Sequence, residues 1–155
     1  MIRDDFIINK NDRILITGAN GFIGSRVVST LLNYGFKNIR CFVRHSSNVD
    51  ALMKCTNMHH DARVSLMKGN LLSNENCVDA IEGVSLVYHL AASTREKTFS
   101  GAYENTVNAT KNILDAIVIP VNFHNNFKTI ARALFNPRLG QMVSKRAFGH
   151  PPGSV

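Results

Sequence analysis

Short apolar runs alternate along this chain with longer segments in which apolar residues recur every three or four positions. Four runs have the length and β-branched content of buried strands, and they span residues 13–17, 39–43, 64–67 and 86–91. Segments with helical spacing follow them, at 24–34, 49–53, 73–82 and 102–117. Strands that alternate with helices pair in parallel through right-handed crossovers. The pattern therefore predicts an α/β fold, a doubly wound parallel sheet covered by helices on both faces.

Residue types at the ends of these segments support the same boundaries. Gly35 and Gly83 stand where a left-handed residue ends a helix, and Ser73 precedes the third helix as a capping hydroxyl. In the last helix the spacing predicts that four apolar side chains face the sheet: Val107, Ile113, Leu114 and Ile117.

The pattern changes beyond residue 117. Residues 117–121 have the composition of a strand, but Pro120 cannot donate to a sheet and predicts an edge. Residues 127–135 form an amphipathic helical pattern, and the glycines and prolines of the final residues predict disorder. We therefore divide the chain into an α/β domain at 1–117 and an atypical tail at 118–155.

Composition narrows the class of protein. A chain of 155 residues builds one core, and it has no apolar run of the roughly 18 to 20 residues that cross a bilayer. Acidic residues near the amino terminus are unlike a signal peptide, and three widely spaced cysteines (Cys41, Cys55 and Cys77) fit neither a disulfide framework nor a zinc site. We expect a cytoplasmic protein with reduced, mostly buried thiols.

The formal net charge of +7 raises the question of a nucleic-acid or membrane partner. Most of the excess lies in residues 117–155, which contain five basic residues and no acidic one. Two interpretations of the tail stay open: a basic surface helix, or a helix whose apolar face covers exposed sheet. We favour the second, and expect neither nucleic acid nor membrane as a partner.

The segment TGANGFIG, residues 17–24, connects the first predicted strand to the first predicted helix. A diphosphate needs backbone N–H donors at a helix N-terminus, and side chains at such a turn would block its approach. The glycines permit the turn, the close approach and the tight helix packing. The predicted cofactor-binding residues of this segment are Thr17, Gly18, Asn20, Gly21, Phe22, Ile23 and Gly24.

The spacing G-x-x-G-x-x-G resembles the extended branch of the short-chain dehydrogenase/reductase superfamily, the NAD-dependent epimerase/dehydratase family. Two further segments are similar to that family: Gly69-Asn70-Leu71, and His89-Leu90-Ala91-Ala92 followed by the helix 106–114. The resemblance covers residues 12–116 and implies the N-terminal, incomplete part of a Rossmann-like domain. It also implies cofactor contacts from Asn70, Leu71, Leu90, Ala91 and Ala92.

The sequence departs from the family pattern at two polar positions. Asn70 stands where the family usually has an aspartate that touches the adenine, although an amide oxygen still accepts a hydrogen bond. Thr106 stands where the family usually has asparagine, which leaves the polar network there open.

The residue after the second predicted strand bears on the choice of cofactor. An acid there would bind a free ribose 2′-hydroxyl, whereas this chain has Arg44 followed by His45, Ser46 and Ser47. A cation with neighbouring hydroxyls suits a 2′-phosphate, so NADP is favoured over NAD. The alternative is that Arg44 is a solvated surface charge.

The catalytic pair that the resemblance implies, a tyrosine with a lysine four residues later, is missing. Asn38, Ala92 and Val107 follow the three tyrosines at that spacing. We predict no catalytic residue and, because His59-His60 has no partner at ligand spacing, no metal site. The expected function is a truncated, inactive NAD(P)-binding part of an oxidoreductase for a nucleotide sugar or similar carbonyl substrate. The alternative is a non-catalytic NADP sensor or interaction protein.

Overall fold

The computed structural model describes residues 6–93 and 96–118, which form a parallel sheet flanked by helices. The elements in chain order are β1 (Ile14–Thr17), α1 (Phe22–Asn33), β2 (Asn38–Val43), α2 (Asp50–Thr56), β3 (Arg63–Lys68), α3 (Asn74–Ile81), β4 (Leu86–His89), α4 (Phe99–Tyr103), a π-helical segment (Glu104–Asn108) and α5 (Ala109–Val118).

The four strands pair in the order β3-β2-β1-β4, and every pairing is parallel. Ile14 lies opposite Ile39 on one side and Leu86 on the other, so β1 is central. Because the order reverses beside β1, the loops that follow β1 and β4 diverge and leave a crevice at the carboxyl ends of the strands.

The core has two layers, one on each face of the sheet. Alternate residues of β1 point to opposite faces, so Ile14 and Ile16 pack against α1 and α2 while Leu15 packs against α3 and α5. Every residue of β1 is fully buried. The predicted doubly wound arrangement, with helices on both faces, is confirmed.

The boundaries agree with the sequence pattern at most positions. Gly35 and Gly83 adopt positive φ angles of 82° and 67° after α1 and α3, and the Ser73 hydroxyl accepts a hydrogen bond from the Asn76 N–H. Helix α1 begins two residues earlier than predicted, at Phe22, and β4 ends at His89 rather than residue 91.

The predicted helix at 102–117 is wrong in one respect. It contains a π-helical segment, and two side chains expected to face the sheet are exposed, Val107 by 46% and Leu114 by 39%. Ile113 is buried as expected. Ile117 and Val118 belong to α5 rather than to a strand, and the rest of the predicted strand at 117–121, the helix at 127–135 and the final segment lie outside the described residues.

Candidate functional site

A cleft of about 340 Å³ lies at the carboxyl ends of the strands. Ligand pockets typically occupy about 300 to 1,000 Å³, so the cleft is large enough to hold a substantial part of a small-molecule ligand. It brings together nine of the residues predicted as cofactor-binding: Gly18, Asn20, Gly21, Arg44, Asn70, Leu71, Leu90, Ala91 and Ala92. Residues from four separate segments of sequence therefore converge on one site.

The floor of the cleft is the glycine loop between β1 and α1. Gly18 has a φ of +68°, and a Cβ placed on it would lie 3.0 Å from both the nitrogen and the Cα of Ala91. A side chain at Gly18 would therefore be strained and would collide with the opposite wall. The Gly21 N–H donates to the Gly18 carbonyl at 3.0 Å, which closes the loop into a tight turn.

Gly24 acts through packing rather than through the cleft surface. It is buried in the first turn of α1, and a Cβ placed on it would lie 2.8 Å from the Cα of Ala19 and closer still to the Gly18 carbonyl oxygen. Only glycine lets the helix approach the loop at this distance, so Gly24 fixes where the helix N-terminus lies.

The N-terminus of α1 supplies the groups that an anion requires. The first N–H groups of a helix have no intrahelical partner, and the helix dipole makes this end positive. The first turn contains no acidic side chain. The side chains of Phe22 and Ile23 do not line the cleft: they are 84% and 65% exposed and border a separate groove on the α1 face of the sheet. Only the backbone of these two residues is available to a ligand in the cleft.

Thr17 also lies outside the cleft surface, directly behind it. Its side chain is completely buried, and its hydroxyl oxygen accepts from the N–H groups of Leu90 and Ala91, each at 3.2 Å. Leu90 and Ala91 form the β4 wall of the cleft. Thr17 therefore positions that wall.

Arg44 is exposed at the end of the cleft where β2 terminates. The Ser47 N–H donates to the Arg44 carbonyl at 3.0 Å, a turn that returns Ser47 to the same lip of the cleft. The Asn20 side chain donates to the Asn48 carbonyl at 3.4 Å and so connects this turn to the glycine loop. The site thus offers a guanidinium and a hydroxyl at one end.

Asn70 borders the cleft beyond β3, and its amide group is already oriented. Its side-chain oxygen accepts from the Leu72 N–H at 3.0 Å, and its own N–H donates to the Asn76 side-chain oxygen at 2.9 Å. One lone pair of the oxygen stays available, while the NH₂ group is a donor. Asn70 therefore presents a mixed surface to a base, where an aspartate would present acceptors alone.

The opposite end of the cleft contains polar residues that the sequence analysis missed. Glu96 and Asn105 line it, and the Asn105 amide donates to Glu96 at 3.2 Å. Asn105 was missed because the π-helical segment that carries it, Glu104–Asn108, changes which side chains face the cleft. At Thr106, the position left open above, the hydroxyl accepts from the Ser93 N–H at 3.2 Å and anchors the loop after β4.

The described part of the chain lacks two features that would indicate other functions. Residues 6–93 and 96–118 contain no cluster of three or more histidine, cysteine, aspartate or glutamate side chains able to hold a metal ion. Within the same ranges, none of the helices has the length and apolar character needed to span a bilayer.

Comparison with known proteins places these features in a family. The model of the NAD dependent epimerase/dehydratase family matches residues 14–153. Among curated proteins, a fatty acid hydroxylase of Mycosarcoma maydis is 28% identical over 115 residues, which are 71% of this chain and 36% of that protein. A 3-beta-hydroxysteroid dehydrogenase of Mycolicibacterium neoaurum is 29% identical over 112 residues, which are 67% of this chain and 28% of that protein. The chain thus spans about a third of the length of these relatives.

Solved structures show the same fold. The structure of Pen from Bacillus thuringiensis superposes with a TM-score of 0.61 at 22% identity, covering 72% of this chain and 35% of that one. A UDP-glucose-4-epimerase from Stenotrophomonas maltophila, solved with bound NAD, superposes with a TM-score of 0.57 at 15% identity, covering 69% of this chain and 33% of its own.

Proposed function

Because the chain belongs to the NAD-dependent epimerase/dehydratase family, we propose that its cleft binds a nicotinamide dinucleotide as the cofactor-binding part of an oxidoreductase. The observation that carries the proposal is the glycine loop: Gly18 is pressed against Ala91, and the N-terminus of α1 begins where the loop ends. Backbone N–H groups and the helix dipole there suit a pyrophosphate.

The two ends of the cleft suit different parts of such a cofactor. The lip formed by Arg44, Ser47 and Asn70 has the donors for an adenosine with a 2′-phosphate. The other end, with Ser93, Glu96 and Asn105, is where the nicotinamide and a substrate would lie. Bound there, the cofactor would supply hydride chemistry, while this chain's residues bind and orient it.

We further propose that NADP is preferred over NAD. Arg44 is the basis, because a planar guanidinium pairs with a phosphate through two hydrogen bonds, and the Arg44–Ser47 turn places a hydroxyl beside it.

The substrate proposed for the whole protein is a nucleotide sugar or a similar carbonyl compound. The names of the relatives, which include a hydroxysteroid dehydrogenase and a UDP-glucose epimerase, fit a carbonyl or alcohol substrate. The sequence given contains no tyrosine followed four residues later by lysine, so we propose that this polypeptide binds cofactor without turnover.

Calorimetric titration of the full chain with NADPH and with NADH tests both the proposed dinucleotide binding and the proposed preference for NADP. We expect saturable binding of both and tighter binding of NADPH. Arg44→Gln should weaken NADPH binding by at least about tenfold, because it removes the charged partner of both hydrogen bonds to the phosphate, and it should leave NADH binding nearly unchanged.

Arg63→Gln is the matched control, because Arg63 is exposed at the opposite end of the sheet, where β3 begins. Folded protein that binds neither nucleotide would overturn the proposed function. Equal loss for NADPH and NADH in Arg44→Gln would overturn the preference alone.

A further inference from the structure

A continuous chain of hydrogen bonds runs behind the β4 wall of the cleft. The Thr17 hydroxyl lies 2.8 Å from His89 Nδ1, and His89 Nε2 lies 3.0 Å from the Thr110 hydroxyl. The Thr110 hydroxyl in turn donates to the Thr106 carbonyl at 2.6 Å. The imidazole therefore joins β1 to the helical segment on the same face of the sheet.

For a neutral His89 ring, the contacts determine the direction of each hydrogen bond in this series. Because Thr110 donates its only hydroxyl proton to Thr106, its oxygen must accept from His89 Nε2–H. His89 Nδ1 is then an acceptor if the ring is neutral, and the Thr17 hydroxyl donates to it. This leaves the lone pairs of Thr17 for the N–H groups of Leu90 and Ala91, as observed at 3.2 Å each.

Protonation of His89 is incompatible with this arrangement. A proton on Nδ1 would need an acceptor, but the Thr17 oxygen already accepts from two backbone N–H groups. The Thr17 hydroxyl would have to rotate, which would weaken its contacts with the Leu90 and Ala91 N–H groups. Ala91 is the residue against which Gly18 is pressed, with no room between them for a Cβ. A change at His89 therefore affects the cleft through two contacts, that of His89 with Thr17 and that of Thr17 with Ala91.

We propose that His89 is a positioning residue: its neutral Nε2–H form holds Thr17 in the orientation that fixes the Leu90–Ala91 wall, so that cofactor affinity depends on the protonation of His89. The proposal rests on the proposed function, because it concerns the same cleft. His89 itself contacts no cleft ligand and acts through Thr17.

The groups around the His89 ring determine whether cofactor affinity rises or falls with pH. Burial lowers the pKa of His89 from its ordinary value of 6.5. β1 brings no titratable side chain to the ring, and the charged residues of the adjoining helical segments, Glu104, Lys111 and Asp115, are exposed. Tyr88 precedes His89 on β4, and Glu96 of the following loop is exposed. Affinity should therefore be full above pH 6.5 and fall as the pH drops through the lowered pKa.

The experiment measures NADPH affinity of the full chain between pH 5 and pH 8 in wild type and three variants. His89→Gln offers one amide acceptor and one donor that do not titrate, so it should bind within about threefold of wild type at pH 7.5 and lose this part of the pH dependence. His89→Leu removes both and should bind about tenfold more weakly throughout. His60→Gln, which changes an exposed histidine, should keep the wild-type profile.

A second measurement needs no variant. Imidazole ¹⁵N shifts of the wild type at pH 7.5 should show a protonated Nε2 and an unprotonated Nδ1 at His89. The opposite tautomer, or superimposable pH profiles for wild type and His89→Gln, would overturn the positioning role while leaving the proposed function intact. Absence of NADPH and NADH binding at pH 7.5 would overturn the proposed function, and this inference with it.

Discussion

Two glycines of the same loop are required for different physical reasons, and one substitution at each separates them. In Gly24→Ala the new methyl meets backbone atoms, with the Ala19 Cα at 2.8 Å, so nothing flexible can yield. In Gly21→Ala the contact is a milder 3.2 Å from the Gly18 carbonyl oxygen, and the φ of −73° is ordinary. We expect Gly24→Ala to lower the free energy of unfolding by about 1 to 3 kcal/mol, the cost of overpacking.

Gly21→Ala should change the free energy of unfolding by less than about 1 kcal/mol but weaken NADPH binding by roughly tenfold, since its methyl occupies the pyrophosphate approach. Urea denaturation and calorimetry on the two variants measure both quantities. If Gly24→Ala proved as stable as the wild type, the close packing of α1 against the loop would be wrong.

Asn70 gives a second prediction at the residue scale. An aspartate at this position would keep one oxygen for the Leu72 N–H, the contact made at 3.0 Å, and present its second oxygen to the adenine amino group. Hydrogen bonds to an ionised acceptor are about twice as strong as neutral ones. We expect Asn70→Asp to tighten NADPH binding by about threefold to tenfold, measured by titration at pH 7.5.

Asn70→Ser is the matched comparison, because serine also caps such turns but lacks the second oxygen. It should bind no more tightly than the wild type. Weaker binding by Asn70→Asp would mean that the base lies away from this lip of the cleft.

The sequence predicted which residues line the cleft better than it predicted where their side chains point. The glycine spacing led to Gly18, Gly21 and Gly24 because backbone approach leaves a trace in residue type. It also included Phe22 and Ile23, whose side chains lie in a different groove. A sequence position near a helix N-terminus does not reveal that only the backbone faces the ligand, because the direction of a side chain depends on where the helix begins.

At the scale of elements, helix α3 is held at its C-terminus by two arginines from neighbouring segments. Arg40 of β2 donates to the carbonyls of Asp79, Ala80 and Glu82 at 2.9, 2.7 and 3.1 Å, and Arg13 also reaches Glu82 at 3.1 Å. The last carbonyls of a helix have no intrahelical partner and carry partial negative charge. Partial burial lowers the pKa of Arg40, and the neighbouring Arg13 lowers it further.

Arg40→Ala should therefore lower the free energy of unfolding by about 2 kcal/mol, the range for hydrogen bonds to a charged group. All three contacts come from one nitrogen, Nη1. Arg40→Lys should therefore recover only part of that loss, because the shorter lysine side chain places its ammonium group nearer to β2 and farther from these carbonyls. Urea denaturation measures both, with Arg63→Ala as a surface control. Equal stability of Arg40→Lys and wild type would show that charge alone matters here.

Among the elements of the fold, the strands were predicted well and the helix at 102–117 was not. All four strands were found because each contains a short run rich in apolar residues, although β3 has no buried residue. The helix at 102–117 was assigned a uniform 3.6-residue period, but its π-helical segment at Glu104–Asn108 contains an extra residue per turn and shifts the face that follows. After the shift Ala109, Ile113 and Ala116 are buried, whereas Val107 and Leu114 are exposed. No local residue type marks such an insertion.

On the scale of the whole molecule, the apolar groove on the α1 face of the sheet is covered by none of the described residues. It occupies about 540 Å³ beside β4 and exposes Phe22, Ile23 and Tyr34. The interpretation that the helix at 127–135 covers exposed sheet stays a prediction, because that segment lies outside the described residues. Charge and periodicity describe one surface of a helix but not the surface against which it packs.

The two core layers allow a test of whether the molecule unfolds as one unit. Cys41 lies in the layer facing α1 and α2, and Cys77 in the layer facing α3 and α5. Burial raises the pKa of Cys41 to about 12 and that of Cys77 to about 11. Since only the thiolate reacts, neither should be modified at pH 8 in the folded state. Cys55 is partly exposed and should react first.

Every strand of this small sheet contributes to both layers, because successive side chains point to opposite faces. Opening one layer would therefore disrupt the other, and we expect Cys41 and Cys77 to be labelled together, at a rate set by global unfolding. Peptide mass spectrometry after timed exposure to a thiol reagent gives both rates, and adding low urea should accelerate them equally. Labelling of Cys77 many times faster than Cys41 would instead show that the α3–α5 layer opens locally while the α1–α2 layer stays folded.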